Sequence, residues 1–302
     1  MIAASLVYAC MGACIKLTAE LQVPVAQITF YRCLISLVLI FAILRLRGTP
    51  LRTRHWRAHL TRSFTGVASM ATYYYAITLL PLATAITLNY TKPLFVALMM
   101  LAAGAWRFRA GTLIALIGGF AGVALMLRPS ATPTQWLGVA MALGSAFLSA
   151  GSVLSIRRLG LLGEPTWRTV FYFTLSATIL TFPWYLASSP WTAMEAHAVL
   201  LLLSVGALAT IGQVMLTMAY QHGETLVSAS LGYSQVIFAS VLGYCIWQET
   251  PAGEAWIGIP LIVASGLITL TLQHRARQNI ARRHCDTVTA HPDAPRDSAD
   301  RS

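Results

Sequence analysis

AGTLIALIGGFAGVALML, residues Ala110 to Leu127, carries no charge over its whole length. It is followed at once by RPSATPTQ, Arg128 to Gln135, a loop rich in Pro, Ser and Thr. A membrane helix needs roughly 20 mostly apolar residues at 1.5 Å each. In a soluble protein such a stretch would be an unusual core helix. Here similar stretches recur on both sides of it, and that recurrence decides the fold class.

Working outward, the sequence predicts spans at Ile2–Thr18, Pro24–Leu44, Leu60–Leu80 and Ala83–Gly104 before it. After the loop it predicts Trp136–Ile156, Pro165–Ala187, Ala198–Tyr220, Thr225–Trp247 and Ala255–Leu272. The chain is therefore read as an all-α integral membrane protein of ten transmembrane helices. The tail, Gln273–Ser302, is polar and reads as disordered. Composition agrees: 57% of residues are hydrophobic and 10% are charged, against about 25% charged in soluble domains. The first apolar run starts at Met1 without a basic segment before it, so it reads as a membrane helix rather than a signal peptide. So abrupt a start is the one expected of a chain lacking its first residues.

The net charge of +11 has a topological meaning here rather than pointing to nucleic acid. With a cytoplasmic N-terminus, one side of the membrane receives Arg45, Arg47, Arg52, Arg54, Arg57 and Arg62 in the connection between the second and third spans and its flanks. The same side receives Arg107, Arg109, Arg157, Arg158, Arg168 and the arginines of the tail. The other side receives Arg128, with Glu195, Glu249 and Glu254. Cytoplasmic loops carry the excess of Lys and Arg, so both termini are expected inside, in a bacterial inner membrane. Trp56, Trp106, Trp136 and Trp191 lie near span ends and read as interfacial anchors.

The two halves resemble each other. Shifting by 143 residues places Tyr75 and Ala76 on Met218 and Ala219, Tyr90 on Tyr233, and Phe95 on Phe238. A half of five spans reverses direction when it is repeated. An inverted repeat of this kind is common among secondary transporters, with the site near the midplane between the halves. The boundaries expected are 1–127 for the first repeat, 128–135 for the linker, 136–272 for the second repeat and 273–302 for the tail.

YYYAITLLPLATAITLNYTKPLFVALMM, Tyr73–Met100, resembles the third and fourth helices of EamA-domain proteins in the drug/metabolite transporter superfamily. GGFAGVALMLRP, Gly118–Pro129, is similar to the end of that domain, and ITFYRCLISLVLI, Ile28–Ile40, to its second helix with Arg32 at the usual arginine. The resemblance covers nearly the whole chain as two repeats. It implies two inverted five-helix repeats around a central cavity lined mainly by helices one, three, four, six, eight and nine. It also implies export of a metabolite or amino acid, or uptake of a cofactor-type molecule such as S-adenosylmethionine or riboflavin. Many relatives carry an acid just after the fourth helix. Here AGAWRFRAG has none, and Glu249 takes the comparable place in the second half.

Charges deep in a span need a reason, because each costs several kcal/mol. Lys92 lies about nine residues into the fourth span, roughly 14 Å deep. Pro93 follows it and cannot donate to the carbonyl of Asn89. Lysine, freed carbonyl and the Asn89 amide form a candidate anchor for a carboxylate or phosphate. Arg32 is the second candidate; Lys16, four residues before Glu20, is explained by pairing or snorkelling. Tyr74 from the Tyr73–Tyr75 run, Tyr90, Tyr233, Gln213 and Gln235 complete the candidate substrate-binding set, with packing and interhelical hydrogen bonding as their structural alternatives.

No Asp or Glu lies deep in a span, which favours an anionic or zwitterionic small-molecule substrate. The histidines are scattered and the cysteines form no CxxC pair, so no metal site, cofactor or catalytic group is expected. The alternatives of another class are an intramembrane enzyme and a membrane scaffold. Gly118 and Gly122 form a GxxxG, which offers either a homodimer face or close packing within one chain.

Overall fold

The computed structural model describes residues 1–80, 82–104, 110–127, 135–188, 195–248, 257–269 and 271–272. Trp106, Trp191, Glu249, Glu254, most of the 128–135 linker and the tail lie outside the described residues. Among those described, every regular element is a helix. They are α1 (Ile2–Glu20), α2 (Val25–Leu46), α3 (Trp56–Leu79), α4 (Leu82–Asn89), α5 (Lys92–Ala102) and α6 (Ala110–Leu127). The second half holds α7 (Trp136–Leu161), α8 (Thr166–Ala187), α9 (Ala196–His222), α10 (Thr225–Leu231), α11 (Ser234–Trp247) and α12 (Ile257–Thr269).

Seven stretches are long and apolar enough to cross a membrane, with Thr84–Ala102 and Thr225–Trp247 each counted as one. Ala110–Leu125 and Ile257–Thr269 are shorter apolar helices. The third expected span, α3, is long enough at 24 residues, but Arg57, His59 and Arg62 near its start dilute its hydropathy.

The fourth and ninth expected spans are not continuous. α4 ends at Asn89 and α5 begins at Lys92; α10 ends at Leu231 and α11 begins at Ser234. The 143-residue shift carries one interruption onto the other. Pro93 explains the first: lacking an N–H, it fits the opening turn of a new helix far better than a helix interior. The second has no proline and is centred on Gly232 and Tyr233. Broken helices at mid-depth are tolerated where backbone lines a cavity rather than lipid.

The packing partners exchange between halves. α3 lies against α7, and α9 lies against α1; α3 touches α8, and α9 touches α2; α5 touches α7, and α11 touches α1. α2 and α8, the equivalent pair, pack on each other. Both main pairs run antiparallel. Along α3 the contacts pass from Arg62–Ser152 to Ser69–Ser145 to Leu80–Gly138.

Without a hydrophobic force between helices in lipid, close approach through small residues and hydrogen bonds holds such pairs. Ser69 Oγ donates to the Ser145 carbonyl at 2.9 Å, and Ser145 Oγ donates back to the Ser69 carbonyl at 2.8 Å. Gly138 admits Leu79 and Leu80, and Gly206 admits Ile35.

The GxxxG of α6 divides between two environments. A side chain at Gly122 would meet the Gly258 carbonyl oxygen at 2.8 Å and Ile262 of α12, whereas Gly118 faces open space. Gly122→Val is therefore expected to lower detergent thermal stability by about 1–3 kcal/mol, with Gly118→Val near neutral; melting curves of both variants check this.

Candidate transport cavity

A cavity of about 270 Å³ lies between the halves. α1 contributes Ser5 and Tyr8, α2 Arg32, α3 Arg62 and Ser69, and α5 Lys92. α7 contributes Ser149 and Ser152, α8 Phe173, and α9 Gln213 and Tyr220. Both helix interruptions reach it: Tyr90 from one, Gly232 from the other, with Gln235 just beyond. The lining elements correspond to the first, third, fourth, sixth, eighth and ninth expected spans, with α2 and α8 adding Arg32 and Phe173. The volume is just below the range of about 300–1,000 Å³ common for small-molecule sites.

Lys92 opens α5 directly at the interruption, which is how a lysine from an apolar stretch comes to face the cavity. It lies near enough to Arg62 for the two cations to repel each other. Arg32 is set against the hydroxyls of Tyr74 and Tyr8. Tyr8 donates to Gln213 Oε1 at 2.9 Å and is also in the field of Arg62. The α1–α9 pair thus fixes a tyrosine and an amide in the same lining as the two arginines.

Arg62 corrects the sequence reading. The sequence groups it with the cytoplasmic arginines flanking the third span, because it lies only two residues past the start of the apolar run at Leu60. Instead α3 begins at Trp56, so Arg62 is already in the second turn and is 4% exposed. One guanidinium nitrogen donates to Ser152 Oγ at 2.7 Å, and its plane lies 4.1 Å from the Phe173 ring centre. Its buried Nε has no hydrogen-bond partner among the described residues. Among the described residues, none of Arg32, Arg62 and Lys92 has a carboxylate partner.

Gly66 makes room for this arrangement. It lies one turn after Arg62 on α3, and a side chain there would run into the Arg62 guanidinium and, at 2.8 Å, the Phe173 ring. Alanine would gain helix propensity but push the arginine out of place. Gly66→Ala is expected to weaken ligand binding tenfold or more with a smaller change in melting temperature, read by ligand titration in detergent.

Of the other expected site residues, Tyr90, Gln213 and Gln235 line the cavity with Lys92 and Arg32. Asn89 does not; its amide donates to Ser145 Oγ at 3.1 Å, so it ties α4 to α7. Tyr233 does not either. It is fully buried, its ring 6.2 Å from Tyr90, and its hydroxyl reaches the Leu116 carbonyl at 3.5 Å. Tyr74 lines a second cavity of about 330 Å³ with Tyr75, Leu180, Thr181 and Trp184. A narrow space lined by Met70, Arg32, Phe173 and Gln213 connects the two in lining residues. Lys16 stands apart, 4.1 Å from the Trp247 ring centre.

The sequence reading missed Tyr8, Ser5, Ser69, Ser152 and Tyr220. Hydroxyl side chains recur along every span and mostly cap their own helix carbonyls, so nothing marks these in advance. The pairing of α1 with α9 and of α3 with α7 selects them.

Polar closure is concentrated at one end of the α2–α8 pair. Gly163, at φ 72°, turns the chain after α7 and delivers Glu164 to it. Glu164 accepts from Arg168 at 2.8 Å and from Thr53, and His59 Nε2 is 3.3 Å away. Arg168 Nε also donates to the Pro50 carbonyl at 2.9 Å, and Tyr172 to that of Leu51 at 2.8 Å. Burial alone would raise the Glu164 carboxyl, but the bonds from Thr53, Arg168 and His59 outweigh it and hold it below the usual value. The opposite end of the same pair is aromatic: Phe30 stacks on Tyr185 at 4.5 Å, and the Tyr31 and Tyr185 hydroxyls are 3.2 Å apart.

Comparison with known proteins agrees with this architecture. The EamA-like transporter family matches residues 1–128 and again 136–271. A pseudopaline exporter of Pseudomonas aeruginosa is 30% identical over 264 residues, covering 87% of this chain and 91% of that one. A riboflavin transporter of Brucella anthropi is 24% identical, covering 81% and 87%. An S-adenosylmethionine uptake transporter of Rickettsia felis is 20% identical, covering 85% and 86%. A solved crystal structure, 20% identical, superposes with a TM-score of 0.80 over 89% of this chain and 95% of that one. Two copies of the family's unit, an all-helical apolar architecture and a cavity between the halves lead to one conclusion: the chain is a multi-pass membrane protein and belongs to the EamA-like transporter family.

Proposed function

We propose that this protein is a secondary transporter that exports a small, amphipathic, carboxylate-bearing metabolite across the bacterial inner membrane by alternating access. Ten crossings, as two inverted repeats over 1–127 and 136–272, are part of the reading, as are cytoplasmic termini. The arginine-rich connections support the orientation, and the exchange of antiparallel packing partners supports the inversion.

The observation that carries the proposal is the cavity itself. It lies between the halves, is reached by both helix interruptions, and presents Lys92 and arginine side chains without a described carboxylate. Apolar and aromatic lining beside these cations suits a cargo that combines charged and apolar parts. The polar cluster around Glu164 and the aromatic cluster around Tyr185 hold opposite ends of the α2–α8 pair, as closures that open in turn would. A relative's role in riboflavin or S-adenosylmethionine uptake supplies the second reading. A cationic cargo such as S-adenosylmethionine would meet like charge here, so the cavity favours the first.

The test is flux. Proteoliposomes loaded with radiolabelled amino and carboxylic acids should lose one class faster than empty-vesicle controls, with the loss slowed by unlabelled compound. Absence of protein-dependent flux for every compound that raises the melting temperature would refute transport.

A further inference from the structure

Arg32, Arg62 and Lys92 come from three helices, α2, α3 and α5, and face one cavity. A guanidinium keeps its proton in a protein, so at least two of these charges are permanent. Nothing among the described residues neutralises them. Buried donors in folded proteins are nearly always satisfied, and a buried cation is tolerated when it is paired.

The three cations share one lining, and Lys92 and Arg62 repel each other. Arg32 also borders the narrow space beside Met70. Tyr8 lines the same cavity, within the field of both arginines. A zwitterion brings no net charge to this cavity, and a single carboxylate answers one of the three positive charges only.

We propose that the cavity binds a polyanion: a small solute carrying two or more carboxylate or phosphate groups, held by Arg32, Arg62 and Lys92 together. Arg forks suit both groups, each by paired N–H donors. This rests on the transporter reading for its meaning as cargo, but the binding stands separately. Ser69, Ser149, Gln213 and Gln235 offer neutral hydrogen bonds to the rest of the molecule.

The experiment is a charge series at matched ionic strength on the purified full-length protein. The probes are butyrate, alanine, glutarate, tricarballylate and pyrophosphate, read as ligand-dependent melting shifts. Dissociation constants are expected to fall tenfold or more from butyrate to glutarate and to fall again for tricarballylate. The tighter of tricarballylate and pyrophosphate identifies the anionic group. Arg62→Gln, which keeps a hydrogen bond available to Ser152, should weaken tricarballylate to the level of glutarate, with Arg62→Lys recovering part of the loss. The wild-type series needs no variant to fold.

Alanine or butyrate binding as tightly as tricarballylate overturns the inference. So does the absence of any shift from polycarboxylates and pyrophosphate in protein that melts cooperatively. Polyanion binding without flux in proteoliposomes would leave this site standing and refute transport. Flux of a zwitterion without polyanion binding would do the reverse.

Discussion

Lys92→Ala is expected to abolish the ligand-induced rise in melting temperature and reduce transport tenfold or more, while the ligand-free protein melts no lower than wild type. The two halves of this result come from one geometry. Hydrogen bonds to charged groups are worth about 1.5–3 kcal/mol, and 1.4 kcal/mol is a factor of ten in affinity. Lys92 opens α5 toward the cavity and has no carboxylate partner among the described residues, so its removal strands no opposite charge. It also relieves repulsion with Arg62. Thermal melts with and without ligand, beside a flux assay, check both parts. A ligand-free protein several degrees less stable, with binding retained, would make Lys92 a structural residue.

Glu164→Ala carries the largest expected effect on stability, about 3 kcal/mol. Removing one partner of a buried ion pair typically costs 3–5 kcal/mol, because the other charge is left without compensation. The side chains of Glu164 and Arg168 are 4% and 11% exposed. The substitution also strips acceptors from Thr53 and His59 and loosens the loop anchored through Pro50 and Leu51. The effect depends on pH with a definite sign. The carboxyl is held below its usual value of 4.5, so its contribution is fully present above that value. It is lost as pH falls through the lower value of the folded state. The stability gap between wild type and Glu164→Gln should therefore be constant near neutrality and narrow in acid. A gap that widened toward acid would refute the assignment of the cluster.

The fold was legible where hydropathy speaks. Apolar runs of the right length appear in the structure as helices, with bounds differing by a few residues. The matches at Tyr90 and Tyr233 marked the repeat. The interruptions themselves were not foreseen. Pro93 was read as freeing a carbonyl inside one span, whereas it opens a new helix. Gly232 and Tyr233 break their span without proline, and nothing local sets them apart from other Gly-aromatic pairs. At the site, charge in an apolar run exposed Lys92 and Arg32. Arg62 escaped because it follows a series of surface arginines and lies only two residues past the start of the apolar run. Its burial comes from α7 and α8, which supply Ser152 and Phe173 from 90 residues and more away.

The shift that superimposes the two interruptions also lays Lys92 over Gln235, and both side chains face the same cavity. All three cations come from the first half, whereas the second half answers with amides, hydroxyls and a phenyl ring. Two identical halves related by a two-fold axis would have to duplicate every charge, and six cations would crowd the space that now holds three. Joining the halves in one polypeptide releases that constraint. One half can specialise in gripping the cargo, and the other can become the neutral wall that slides past it.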